Sequence, residues 1–222
     1  MPRTQLIGIL ATVCLFIALY FVFSYARVEA TMLEVQKIFY FHVSSAFTVF
    51  VAFGVTCLFS ILYLIKRKDQ YDMIATASAE LGIVFCTIVL LTGPIWARYA
   101  WNTWWNWEAR LTSTLILWLM YVGYFILRSA LSEETKRVYS AVLGIIAYLD
   151  VPIVYFSVNL WKGNLHPSTN TKMNLHPTMI KAWLISWLAL SVLYVFLLVL
   201  RYQTERMKSQ LESIQYQQMS ES

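Results

Sequence analysis

A chain of 222 residues with 59% hydrophobic and only 13% charged side chains has too little polar surface to enclose a water-soluble domain, and its mean hydropathy of +0.59 places it among multi-pass membrane proteins. The net charge of +5 is no nucleic-acid footprint, because lysine and arginine in such chains chiefly set orientation in the bilayer. Cys14, Cys57 and Cys86 all lie inside apolar runs and form no CxxC pair, which leaves a thiol-redox or zinc function without support.

Six runs approach the roughly 20 apolar residues that a membrane-spanning helix needs. They cover about 6 to 25, 43 to 65, 80 to 97, 111 to 128, 138 to 160 and 181 to 200. The expected fold is therefore all-α, a polytopic bundle of six transmembrane helices over residues 1–200, followed by a polar tail at 201–222. The first run follows Met1-Pro2-Arg3, is longer than a signal-peptide core and has no small-x-small cleavage site behind it, so it reads as an anchor. The third ends at Gly93-Pro94, where a proline without an amide proton predicts a helix break just before residues 97–110.

Six spans put both termini on one side. Arg3, Lys66, Arg67, Lys68, Arg128, Lys136, Arg137, Arg201, Arg206 and Lys208 share that side and outnumber Arg27, Lys37, Arg98, Arg110, Lys162, Lys172 and Lys181. By the positive-inside rule the termini are cytoplasmic and the 97–110 loop faces outward. The tail carries only Met207, Leu211 and Ile214 at helical spacing, which predicts a partly helical or disordered end.

The outward stretch from Trp101 to Arg110 holds Trp101, Trp104, Trp105 and Trp107 beside Glu108. One tryptophan there would be an interfacial anchor; four within seven residues exceed that need and suit a flat ligand. If the segment turned helically, Trp101, Trp104, Trp105 and Glu108 would share one face. All three histidines, His42, His166 and His176, fall on the same outer side. Neutral imidazole is a common ligand of haem iron, and a porphyrin also needs an aromatic surface and cations for its propionates, for which Arg98 and Arg110 are placed. His166 and His176 each occur in an Asn-Leu-His-Pro tetrapeptide and read equally well as turn residues; at most one would join His42 as a second axial ligand. Asp150, two residues before Pro152 inside the fifth span, is a costly intramembrane carboxylate. It serves either a structural hydrogen bond or the site of a proton-coupled transporter or quinone-reactive subunit.

The run Thr92-Gly93-Pro94-Ile95-Trp96, with Trp101 to Arg110 and Leu111-Thr112-Ser113, resembles the WWD signature of the haem-handling membrane proteins of cytochrome c maturation, and most of all the haem exporter protein C family. Tyr40-Phe41-His42-Val43 is similar to that family's histidine motif before span two, and Val151 to Val158 followed by Leu165-His166 to its fifth span and second histidine. Three positions depart from the pattern: Glu108 stands where Asp is usual, Asn102 where Gly is, and Ser44 where Pro is. The resemblance implies His42 and His166 as axial ligands of haem b, with Trp101, Trp104, Trp105, Trp107, Glu108 and Arg110 forming the surface that holds it. It further implies residence in the bacterial cytoplasmic (inner) membrane, a periplasmic haem chaperone as recipient, and partner membrane subunits that include an ABC transporter. The expected function is binding and transfer of haem, with no bond-making residue required on this chain. A purely structural partner subunit is a further alternative.

Overall fold

A computed structural model describes residues 3–161, 165–168 and 175–221; Lys162 and Lys172, assigned above to the outer side, and Asn164 and Asn174 of the two tetrapeptides lie outside them. Helices carry the architecture: α1 (Arg3–Tyr20), prolonged by a π turn at Phe21–Tyr25, then α2 (Lys37–Lys66), α3 (Asp69–Trp101), α4 (Ala109–Ala130), α5 (Glu133–Tyr148), α6 (Asp150–Leu160) and α7 (Pro177–Glu221). Among the described residues no strand forms, and the one β-bridge, between Glu29 and Leu33, is isolated. Six segments are long and apolar enough to cross a membrane, because α5 and α6 together supply one of them, Thr135–Leu160. The chain is a multi-pass membrane protein.

The bundle is assembled on α2 and α3, which lie antiparallel after the tight turn at Arg67, a residue in the left-handed conformation. Their contact is close because small residues face it. A Cβ at Gly82 would come within 2.3 Å of the Phe53 ring, so only glycine admits that ring. Phe53 in turn stacks on Tyr121 of α4, with centroids 3.6 Å apart and planes 4° from parallel. Ser78 Oγ lies 2.7 Å from both the Ala52 carbonyl of α2 and the Tyr194 hydroxyl of α7, so one small hydroxyl joins three helices. Helix α1 sits at the edge, against α7, and most of its large side chains remain exposed for lipid.

One end of the bundle is held by charge. Arg128, in the last turn of α4, grips the buried Asp72 of the first turn of α3 through two bonds of 2.7 and 2.8 Å, and Arg137 pairs with Asp69 beside it. Acid at a helix start and base at a helix end also match both macrodipoles. The start of α1 meets α7 at this end, where the Gln203 amide donates to Thr4 Oγ1 at 2.9 Å.

Two local expectations are corrected. No break occurs at Pro94; α3 runs through it to Trp101 and stops at Asn102, which adopts φ 55°. Proline costs one backbone bond, a loss that packed membrane helices tolerate, and the left-handed Asn supplies the terminator. The interruption of the fifth span falls at Leu149, ahead of Pro152, which then occupies the first turn of α6 where its missing amide proton is harmless. Of the two forms expected for the tail, partly helical or disordered, the helical one is found and is more extensive, since α7 continues through 201 to Glu221.

Candidate functional site

The other end of the bundle collects the start of α2, the end of α3, the loop 102–108, the start of α4, residues 165–168 and the start of α7. These elements surround a cavity of about 320 Å³, within the size range of small-ligand sites. Its wall is mostly aromatic and aliphatic: Phe47 and Phe50 from α2, Trp96 and Trp101 from α3, Tyr155 from α6 and Trp183 from α7. Five of the residues singled out from sequence line it: His42, His166, Trp101, Trp105 and Arg110.

His42 lies one turn inside α2, and its ring is set by α3. Nδ1 lies 2.9 Å from Thr92 Oγ1, while that hydroxyl also donates to the Ile88 carbonyl at 2.6 Å. A hydroxyl has one proton to give, so with it spent on Ile88 the network assigns the proton of the first contact to His42 Nδ1 and leaves Nε2 with a bare lone pair. Gly93 makes room for the ring, since a Cβ there would stand 3.2 Å from His42 Cε1.

His166 reaches the same cavity from the far end of α6. Its Nδ1 is paired with Glu108 Oε1, and Glu108 Oε2 accepts the Leu165 amide at 2.6 Å and that of His166 at 3.4 Å. The Glu108 side chain is only 1% exposed. Burial pushes its carboxyl up, but the His166 imidazole and the two amides outweigh that and hold it below the usual carboxylate range. The edge of His166 also meets Trp101, with centroids 4.8 Å apart.

The four tryptophans do not share a face. Because 102–108 is a loop and not a helical turn, Trp101 and Trp105 line the cavity while Trp104 and Trp107 are 59% and 74% exposed and do not line it. Arg110 lines it too, and donates to the Tyr155 carbonyl of α6 at 2.8 Å. Arg98 does not: it is exposed and closes its own helix by donating to the carbonyl and side chain of Asn102. His176, also outside the cavity, is exposed and accepts the Thr178 amide at 3.3 Å, a cap for the start of α7. Asp150 is absent from the wall as well, and its Oδ2 is buried without a hydrogen-bond partner among the described residues.

Several residues of the site carried no sequence signal of their own. Trp183 and Tyr155 look like ordinary interfacial aromatics, and only the fold turns them inward; Trp96 and Thr92 were within the quoted motif but without a role. The indole N–H groups of Trp96, Trp105 and Trp183 are buried with no acceptor among the described residues. An apolar pocket with unpaired donors, a cation and two imidazoles whose Nε2 atoms are uncommitted fits a flat, metal-bearing ligand with acidic substituents.

The Heme exporter protein C family model matches residues 2–217. Relatives of that description include the protein of Bradyrhizobium diazoefficiens, 33% identical over 188 residues (83% of this chain and 72% of the relative), and that of Rhodobacter capsulatus, 28% identical over 198 residues (87% and 82%). The Escherichia coli K12 protein is 30% identical over 158 residues, 71% of this chain and 64% of the relative. With nearly the whole length matched, the chain belongs to the Heme exporter protein C family.

Proposed function

We propose that this protein handles haem during c-type cytochrome maturation, holding haem b in the cavity and passing it on without making or breaking bonds itself. His42 and His166 ligate the iron from opposite parts of the chain, Trp101 and Trp105 face the macrocycle, and Arg110 with the unpaired indole donors receives the propionates. Haem is cargo here, and what it gains is a bis-imidazole site in apolar surroundings. Exposed Trp104 and Trp107 extend this surface outward, and Glu108 stands behind it.

By the charge pattern and the family name, the site faces the periplasm from the bacterial inner membrane. The recipient is a periplasmic haem chaperone, and the neighbours are other membrane subunits, an ABC transporter among them. The observation that carries the reading is the convergence of His42 and His166 on one cavity, each with Nδ1 engaged by a neighbour. A site built to bind metal commonly orients its imidazoles this way.

The test is the visible spectrum and haem content of detergent-purified protein. Wild type should show a low-spin haem band near one haem per chain, and His42→Ala and His166→Ala should each lose most of it. Full occupancy in the variant lacking both histidines would end the ligand assignment. A colourless wild type, co-produced with its partners and supplied with haem, together with loss of function in Asp150→Asn, would favour a transporter built on Asp150, whose Oδ2 is buried without a hydrogen-bond partner among the described residues.

A further inference from the structure

Glu108 is the first residue before α4, a position where an acid is ordinarily explained by the positive end of the helix dipole. Its carboxylate does not serve that end: it makes no side-chain cap bond. Both oxygens are turned to residues 165–168, and the side chain is almost wholly buried in doing so. A buried carboxylate costs free energy unless its acceptor sites are filled. Here they are filled by one imidazole and two amides of a single segment. Nor is Glu108 part of the cavity wall, so a ligand in the cavity meets His166 and not the acid behind it.

From this geometry we infer that Glu108 is the positioning residue of the haem site, which acts through His166 by fixing its ring and directing Nε2 at the iron. An ionised carboxylate can only accept, so the proton on His166 sits at Nδ1 and the lone pair at Nε2 faces the cavity. The grip on the Leu165 amide holds the segment that carries the ring. His42 receives the same treatment from neutral Thr92, so the two ligands differ in character: one imidazole has an anionic partner and the other does not. An anionic partner makes the imidazole a stronger donor and favours ferric over ferrous iron.

This inference rests on the haem reading above, and the experiment separates the two. Ferric haem is titrated into purified wild type, Glu108→Ala, Glu108→Gln, His166→Ala and the Glu108→Ala/His166→Ala double variant, with spectra recorded with and without added imidazole. Glu108→Ala should bind haem about tenfold to hundredfold more weakly, the usual effect of removing a group that orients a metal ligand. Its spectrum should shift toward high spin and return to low spin with imidazole, and the acid's removal should add nothing once His166 is gone. Wild-type affinity and spectrum in Glu108→Ala would overturn the inference. So would an additive loss in the double variant, which would mean that Glu108 acts on haem by another route. Should Glu108→Ala fail to fold, Glu108→Gln decides: it keeps the reach and the acceptor but not the charge. A low-spin spectrum with a more positive midpoint potential supports the role, and an unchanged potential overturns it. Wild-type haem affinity in His166→Ala would instead remove the ligand assignment beneath it.

Discussion

Two glycines of α3 show how one missing Cβ can serve either the site or the fold. Gly93 gives His42 its place, at 3.2 Å from where a Cβ would be, whereas Gly82 admits the Phe53 ring deep in the bundle, at 2.3 Å. Gly93→Val should therefore displace the imidazole from Thr92 and reduce haem content nearly as much as His42→Ala, while costing little in thermal stability. Gly82→Val should do the reverse. Overpacking by extra methyl groups costs about 1–3 kcal/mol, so its melting temperature should fall while the properly folded fraction keeps its haem spectrum. Haem per chain and melting temperature, measured on both variants, separate the two effects. His42 and the tryptophans could be named from residue type and order, whereas residue type left His166 and His176 as alternatives. The glycine at 93 could not be tied to a histidine 51 positions earlier, because nothing local in the chain records which helix faces which.

At the scale of elements, the α3–α4 pair is closed by the buried bidentate contact between Asp72 and Arg128. Removing the cation alone strands a carboxylate in the bundle, so Arg128→Met should destabilise by about 3–5 kcal/mol. Asp72→Leu added to Arg128→Met should recover most of that loss, since paired apolar replacements of buried ion pairs are often neutral. Denaturant unfolding of the two variants in detergent checks the order. Hydrophobic run length located all six spans, but the elements end where packing and caps allow. Helix α3 outlasts its proline and extends to Trp101, and the fifth span is interrupted at Leu149, three residues ahead of Pro152. Proline removes a donor, which is a local cost; whether the helix stops depends on neighbours that a linear reading does not contain.

For the molecule as a whole, the ends of the bundle are chemically distinct: the Asp72–Arg128 and Asp69–Arg137 pairs and the Thr4–Gln203 contact at one, the aromatic cavity at the other. Orientation in the bilayer is testable through single cysteines introduced at exposed positions in a chain whose own three cysteines have been replaced. Tyr99→Cys should react with a membrane-impermeant maleimide from the periplasmic side of intact cells, and Lys68→Cys only after lysis. The opposite pattern would place the cavity toward the cytoplasm.

What the linear chain determined by itself was everything governed by composition and short-range chemistry. It dictated a membrane bundle with six spans, because the solvent demands about 20 apolar residues per crossing, and a cluster of tryptophan and histidine at one end, because the runs between them have fixed lengths. Tertiary packing decided the division of labour within that cluster. It set Trp101 and Trp105 in the wall but Trp104 and Trp107 outside, took His166 into the cavity and left His176 as a helix cap, and turned Glu108 from its own helix toward a residue 58 positions later. Each of those outcomes depends on the angle at which one element meets another, and that angle is set by side chains packing across helices far apart in sequence.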